Sequence, residues 1–227
     1  PDATSHEATV TVEVTADNSI VDVRNERSYN MGAVSSLRLK SFQHHLLLAF
    51  DSEPMSGLTV LSARLRATPN AHRLERVTVS TVQAPWGEGG SQGFGESEGG
   101  STYLHARHSS DPATAESWAW PGSVFTDVVY GNSFSLTGES SSEVQGGTYV
   151  WEVPPALIEA VAVGAAFGLA VYESEHDVSR NPTVFSKESA SPPYLEVELG
   201  PPVAAPGAPS GLRDRGDLAE RGEAVLE

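Results

Sequence analysis

The chain has 227 residues and a formal net charge of −16, with 39% hydrophobic and only 19% charged residues. It contains no apolar run of the roughly 18 residues that a membrane-spanning helix needs, and so acidic a body repels phosphate, so neither a membrane span nor nucleic-acid binding is expected. Its 21 Gly and 15 Pro, without a Gly-every-third period, point away from helical bundles and collagen, and the lack of cysteine removes disulfides, thiol catalysis and Cys-ligated metals.

The length suits one large β-sandwich or barrel. Pro1 is preceded by no Met, basic segment or apolar segment, which reads as a processed or excised fragment whose signal peptide is gone. Residues 1–8 are small and polar and are expected to be a flexible N-terminus. The first strand is expected at Thr9–Thr15, where Val10, Val12 and Val14 alternate with Thr11 and Glu13. Short strands follow at Ser36–Lys40, His45–Phe50, Leu58–Ala67 and Arg76–Val82, each bounded by turn-forming residues.

Gly87–Gly100 is too rich in glycine to pack a core of its own and reads as a long surface loop. An aromatic cluster, Ser117–Phe125, and a Ser/Glu-rich stretch, Thr137–Gly147, come next. Tyr149–Val153 resumes the strand pattern. Pro154 and Pro155 then introduce the one expected helix, Ala156–Val163, with Leu157, Ile158 and Val161 as its buried stripe. Ala165–Glu173 is nearly continuous in apolar residues, as a strand buried on both faces would be. Thr183–Ser186 and Tyr194–Leu199 close the series.

The expected fold class is therefore all-β: an antiparallel β-sandwich of jelly-roll type over residues 9–199, with one short helix. Residues 200–210 have the composition of a Pro/Gly/Ala-rich linker, and 211–227 that of a charged tail.

The order of several short motifs carries a resemblance. Asn30–Gly32, Phe50–Asp51, Ser62-Ala63-Arg64-Leu65, Trp86-Gly87-Glu88, Trp120-Pro121-Gly122, Phe185–Glu188 and Pro193–Val197 follow one another as they do in the DNRLRE domain, a family that overlaps carbohydrate-binding module family 96. The chain departs from that pattern at Lys187, where Arg is usual, and at Ala49, where a basic residue is common. The resemblance implies a jelly-roll module of secreted, multidomain proteins, often without catalysis, binding polysaccharides such as alginate where ligands are known.

No HExxH, GxSxG or phosphate-cradling motif occurs, so no enzyme activity is expected; a polysaccharide lyase or hydrolase ranks last. His105 and His108 have a helical metal spacing but sit in a polar, loop-like stretch. His44 and His45 point to opposite strand faces, one toward the core and one toward solvent. Glu173, Glu175, His176 and Asp177 form an acidic turn.

Calcium, a structural ion, is the metal expected if any, with Asp17, Asp22 and Glu26 as ligands, since hard oxygens suit it. Ordinary turn chemistry accounts for the same residues.

Eight of the fourteen basic residues lie between 24 and 76. Period two puts Arg38 with Lys40, and Arg64 with Arg66, opposite their buried neighbours. If those strands adjoin, they form a basic stripe suited to uronic acids, because a guanidinium clasps a carboxylate in two places. The other reading is ordinary surface charge paired with nearby Glu. Trp86 and Trp120 complete the expected sugar-binding set, while Trp151 reads as core.

These residues together point to a non-catalytic, secreted or cell-surface carbohydrate-binding module for an acidic or neutral polysaccharide. The alternative is a structural or adhesive subunit contacting neighbouring protein domains or subunits.

Overall fold

The computed structural model describes residues 8–129, 136–174 and 179–202. Residues 1–7, Glu175, His176 and Asp177 of the acidic turn, most of the expected linker and all of the expected tail lie outside them.

The described residues form twelve strands: β1 (Ala8–Val21), β2 (Ser36–Arg38), β3 (His44–Phe50), β4 (Leu58–Ala67), β5 (Pro69–Ala71), β6 (Arg76–Thr81), β7 (Thr137–Ser141), β8 (Glu143–Gln145), β9 (Thr148–Val153), β10 (Leu169–Glu173), β11 (Thr183–Phe185) and β12 (Tyr194–Pro202). Two helices, α1 (Phe125–Val129) and α2 (Pro155–Ala162), join them. α2 is the expected helix, shifted by one residue, and buries Leu157, Ile158 and Val161. α1 spans only five residues and has no amphipathic period long enough to read.

Pairing is nested. β1 pairs with β12, β3 with β10, β4 with β9 and β6 with β7, all antiparallel. Rolling up one long hairpin pairs strands in this way, and the result is the jelly-roll order.

β1 serves both sheets. Residues 8–13 pair with β12, and after a register break between Val14 and Ala16 the strand continues against β3. The front sheet runs β1-β12-β4-β9-β8 and the back sheet β1-β3-β10-β6-β7. At the opposite margin β7 meets β9, where the Glu152 N–H donates to Ser140 Oγ (2.8 Å) and Trp151 Nε1 to Ser142 Oγ (2.9 Å). A small sheet, β2-β11-β5, adds Leu37 and Val184 to the main core between the sheets. Trp151 stacks on Tyr149 inside that core, as its position in sequence suggested (ring centroids 5.3 Å apart).

The two outer faces differ. On the front sheet, apolar residues of β4 and β12 alternate with exposed or half-exposed polar ones. On the back sheet, Ile20, Leu47 and Ala170 point away from the main core and are still fully buried. A second apolar cluster covers them, built from Val82, Ala84, Tyr103, Ala106, Trp118, Phe125, Val128 and Val129 of the connection between β6 and β7. Both His44 and His45 are consequently buried, which corrects the expectation that one faces solvent.

The glycine-rich stretch is a loop, as expected, but a seated one. Asn30 ties it down with its whole amide: Nδ2 donates to the carbonyls of Glu88 and Ser101, and Oδ1 accepts the N–H groups of Gly32 and Ser91. That uses four of the bonds an Asn side chain can make. Asn18 repeats the device, donating to Ser101 O and accepting from Met31 N–H. A Cβ on Gly32 would lie 2.3 Å from the Glu88 carbonyl, and Gly89 adopts φ +80° against the Asn30 amide. Glycine is required at both positions.

Among the described residues no helix is long and apolar enough to cross a membrane.

Candidate functional site

The basic residues proposed for sugar contact do not share a wall. Arg64 and Arg66 stand on β4 in the front sheet, whereas Arg38 ends β2 in the small sheet and Lys40 follows it. In register, Arg64 lies between Glu152 of β9 and Glu196 of β12. Its Nε donates to Glu152 (2.8 Å), and Arg66 Nε donates to Glu196 (2.8 Å). The expected stripe is thus a ladder of cross-strand ion pairs, the other reading the sequence left open. Strand alternation places these side chains correctly, but it says nothing about the acidic partners, because pairing order is a long-range property.

The metal set is corrected likewise. Asp22 is held by Arg27 (Nε to Oδ1, 2.8 Å), whose guanidinium lies over the Tyr103 ring. Glu26 belongs to a turn in which its N–H donates to the Val23 carbonyl. Asp17 is fully buried elsewhere, and five positions separate it from Asp22, so the two face opposite ways off an extended chain. Asp17, Asp22 and Glu26 therefore do not suit one calcium ion.

Asp17 instead meets residues from two distant segments. Its N–H donates to Glu88 Oε1 (2.8 Å), and its Oδ2 accepts the Lys187 N–H (2.7 Å). The Lys187 ammonium reaches Glu88 (3.1 Å) and Glu188 (2.6 Å). Burial, the largest effect, pushes the Asp17 pKa up to about 7; the Lys187 backbone N–H opposes the rise, and the charges of Glu188 and Glu88 add to it. Glu88 and Lys187 come from two of the motifs that carry the resemblance, and a third, Asn30–Gly32, packs against the Glu88 carbonyl.

The tryptophans divide. Trp118 is buried with its Nε1 donating to the Thr102 carbonyl (2.9 Å), while Trp120 is 53% exposed at a turn closed by Ser123 N–H donating to the Trp120 carbonyl. The segment is a turn, so the two indoles do not share a strand face. Trp86 is half-buried and its Nε1 donates to the Phe167 carbonyl (2.9 Å). It lines a cleft of about 330 Å³ with Phe167, Phe50, Pro85, Ser52 and Arg107.

The floor of this cleft follows from the fold. Ala16 marks the β1 break, Phe50 ends β3, and Phe167 belongs to the turn between α2 and β10. That turn closes tightly: Gly168 has φ +117°, and a Cβ there would lie 2.2 Å from the Leu48 carbonyl. Phe167, next to it, is 42% exposed. Arg107 is also exposed, and its contact with Glu116 is a long one (4.0 Å). Sequence reasoning found Trp86 through its motif. It missed Phe167, which lies inside an apolar run, and Arg107, which stands beside the more conspicuous histidines.

Those histidines are half-buried, with rings 5.8 Å apart, and His108 Nε2 lies 3.3 Å from Glu96. Burial, with the neighbouring His108, holds the His105 pKa below the usual imidazole range.

No protein-family model and no curated protein matches this chain.

Proposed function

We propose that this jelly roll is a non-catalytic carbohydrate-binding module, secreted or displayed at a cell surface, that takes a polysaccharide in the Trp86–Phe167 cleft. The observation that carries the reading is the cleft itself. An indole clamped by a hydrogen bond to Phe167 O stands beside an exposed phenyl ring and an exposed guanidinium. An aromatic face offers apolar area to the C–H side of a pyranose, and a ring already fixed loses little entropy on binding. Arg107 supplies directed donors for a sugar carboxylate or hydroxyl. The resemblance to the DNRLRE domain supports the same reading, and two of its motif residues, Trp86 and Phe50, line this cleft.

Affinity electrophoresis in gels cast with alginate, pectate or a neutral β-glucan tests it. Retardation by at least one polymer, abolished in Trp86→Ala, is the expected result. Unretarded migration in every gel overturns the reading.

A second reading, an adhesive or structural subunit, draws on the exposed aromatic residues Phe94 (79% exposed) and Trp120. Sedimentation distinguishes it by a defined oligomer.

A further inference from the structure

Among the described residues one group of carboxylates converges: oxygens of Asp17, Glu88 and Glu188 all lie within 4.8 Å of one another. Acidic side chains gather on many surfaces, but this group has a feature that surface clusters lack. Asp17 is fully buried, and its Oδ1 has no hydrogen-bond partner. A buried carboxylate oxygen left bare costs free energy unless something positive or protic meets it. Its other oxygen is already engaged by the Lys187 N–H.

We propose that Asp17, Glu88 and Glu188 form a calcium site in which the ion and the Lys187 ammonium compete for the same carboxylates. Oxygens no more than 4.8 Å apart are within reach of two Ca–O bonds of about 2.4 Å, and the flexible shell of six to eight oxygens that calcium accepts suits a set fixed by the fold, where magnesium demands near-ideal octahedral geometry. The ligands come from β1, the loop after β6 and the turn after β11, so the ion would fasten three segments distant in sequence.

Lys187 fits this role by position. It bridges Glu88 and Glu188 at the end of a flexible stem and is itself partly exposed. It also lines a groove of about 280 Å³ with Thr11, Glu13, Pro192, Pro193 and Tyr194. That groove gives the displaced ammonium somewhere to go. The ionised form of Asp17, which burial alone disfavours, is the form a divalent cation selects.

The test uses chelator-stripped full-length protein, with calcium chloride as the probe and thermal melting and calorimetry as readouts. Wild type is expected to melt roughly 5 °C or more higher at a hundredfold excess over Kd. Lys187→Met is expected to bind calcium at least tenfold more tightly, because the competitor is gone. Asp17→Asn, and Glu188→Gln should the first variant fail to fold, are expected to lose the shift. The proposal is overturned by calcium heats and melting shifts absent from both wild type and Lys187→Met, or by a shift that survives Glu188→Gln unchanged. An equal shift with magnesium at equal concentration overturns the assignment to calcium. None of these readouts involves sugar, so they stand apart from the proposed function.

Discussion

The two outer faces of this sandwich have the same topological rank and opposite environments. The front face is open to water, and its charges are paired across strands, Arg64 with Glu152 and Arg66 with Glu196. The back face lies under the segment between β6 and β7, so Leu47, Ile20 and His45 are as buried there as the residues of the main core. The difference teaches that an all-β protein can acquire a second core from a connection with little regular structure, provided its polar backbone is satisfied. Asn18 and Asn30 do that here.

Leu47 lies between the back sheet and its covering layer, fully buried. If the covering layer is a true core, Leu47→Ala leaves a cavity and lowers unfolding free energy by about 2–5 kcal/mol in urea titration. A loss below 1 kcal/mol would mean the layer is loosely laid on the sheet.

Acid provides the next largest effect. Burial, aided at His44 by Arg38, His45 and Lys40, lowers the pKa of His44 to about 3; burial lowers that of His45 to about 4. Unfolded histidines titrate near 6.5, so between about pH 6.5 and 4 the unfolded chain binds protons that the fold refuses. Their contribution is therefore complete above pH 6.5 and is lost as pH falls, by roughly 1.4 kcal/mol per pH unit per histidine. Asp17 works in the opposite sense, since its raised pKa gives a contribution that is lost as pH rises through about 7. Urea unfolding at pH 7.5 and pH 5 should show a smaller acid loss in the double variant His44→Gln, His45→Gln than in wild type.

Gly32→Ala probes the seam between the back-face layer and the strand beneath it. The added methyl meets the carbonyls of Glu88 and Gly89 and is expected to cost roughly 1–3 kcal/mol. The smallest effect belongs to the front face. Arg64→Gln removes an exposed pair and should change stability by less than about 1 kcal/mol at physiological salt.

The same contrast explains what the sequence disclosed. Leu58–Ala67 alternates because one side meets water, and its limits were read without error. The β12 pattern was read through Leu199, and the strand runs three residues further. His44–Phe50 and Leu169–Glu173 lie in the double-covered sheet, where alternation is erased; apolar runs still marked strands at His45–Phe50 and Ala165–Glu173, although residues 165–168 of the second belong to the turn before β10. β7 and β8 were missed because their residues, TGESS and EVQ, are mostly polar or exposed marginal positions. Of the candidate site, Trp86 was legible through its motif, and Asp17 as a hard-oxygen ligand in an acidic stretch. Their partners were not, since Phe167 stands 81 positions from Trp86 and Lys187 170 positions from Asp17. Local patterns carry no information about contacts at such separations.

The proposed sugar site is the Trp86 cleft and not the basic residues of β4. Calorimetric titration of alginate and β-glucan oligosaccharides into wild type, Trp86→Ala, Trp86→Phe and the double variant Arg64→Ala, Arg66→Ala tests it most directly. The account predicts at least a tenfold loss of affinity in Trp86→Ala, partial recovery in Trp86→Phe and wild-type affinity in the double variant. Undiminished binding by Trp86→Ala, or its loss in the arginine variant alone, would contradict it.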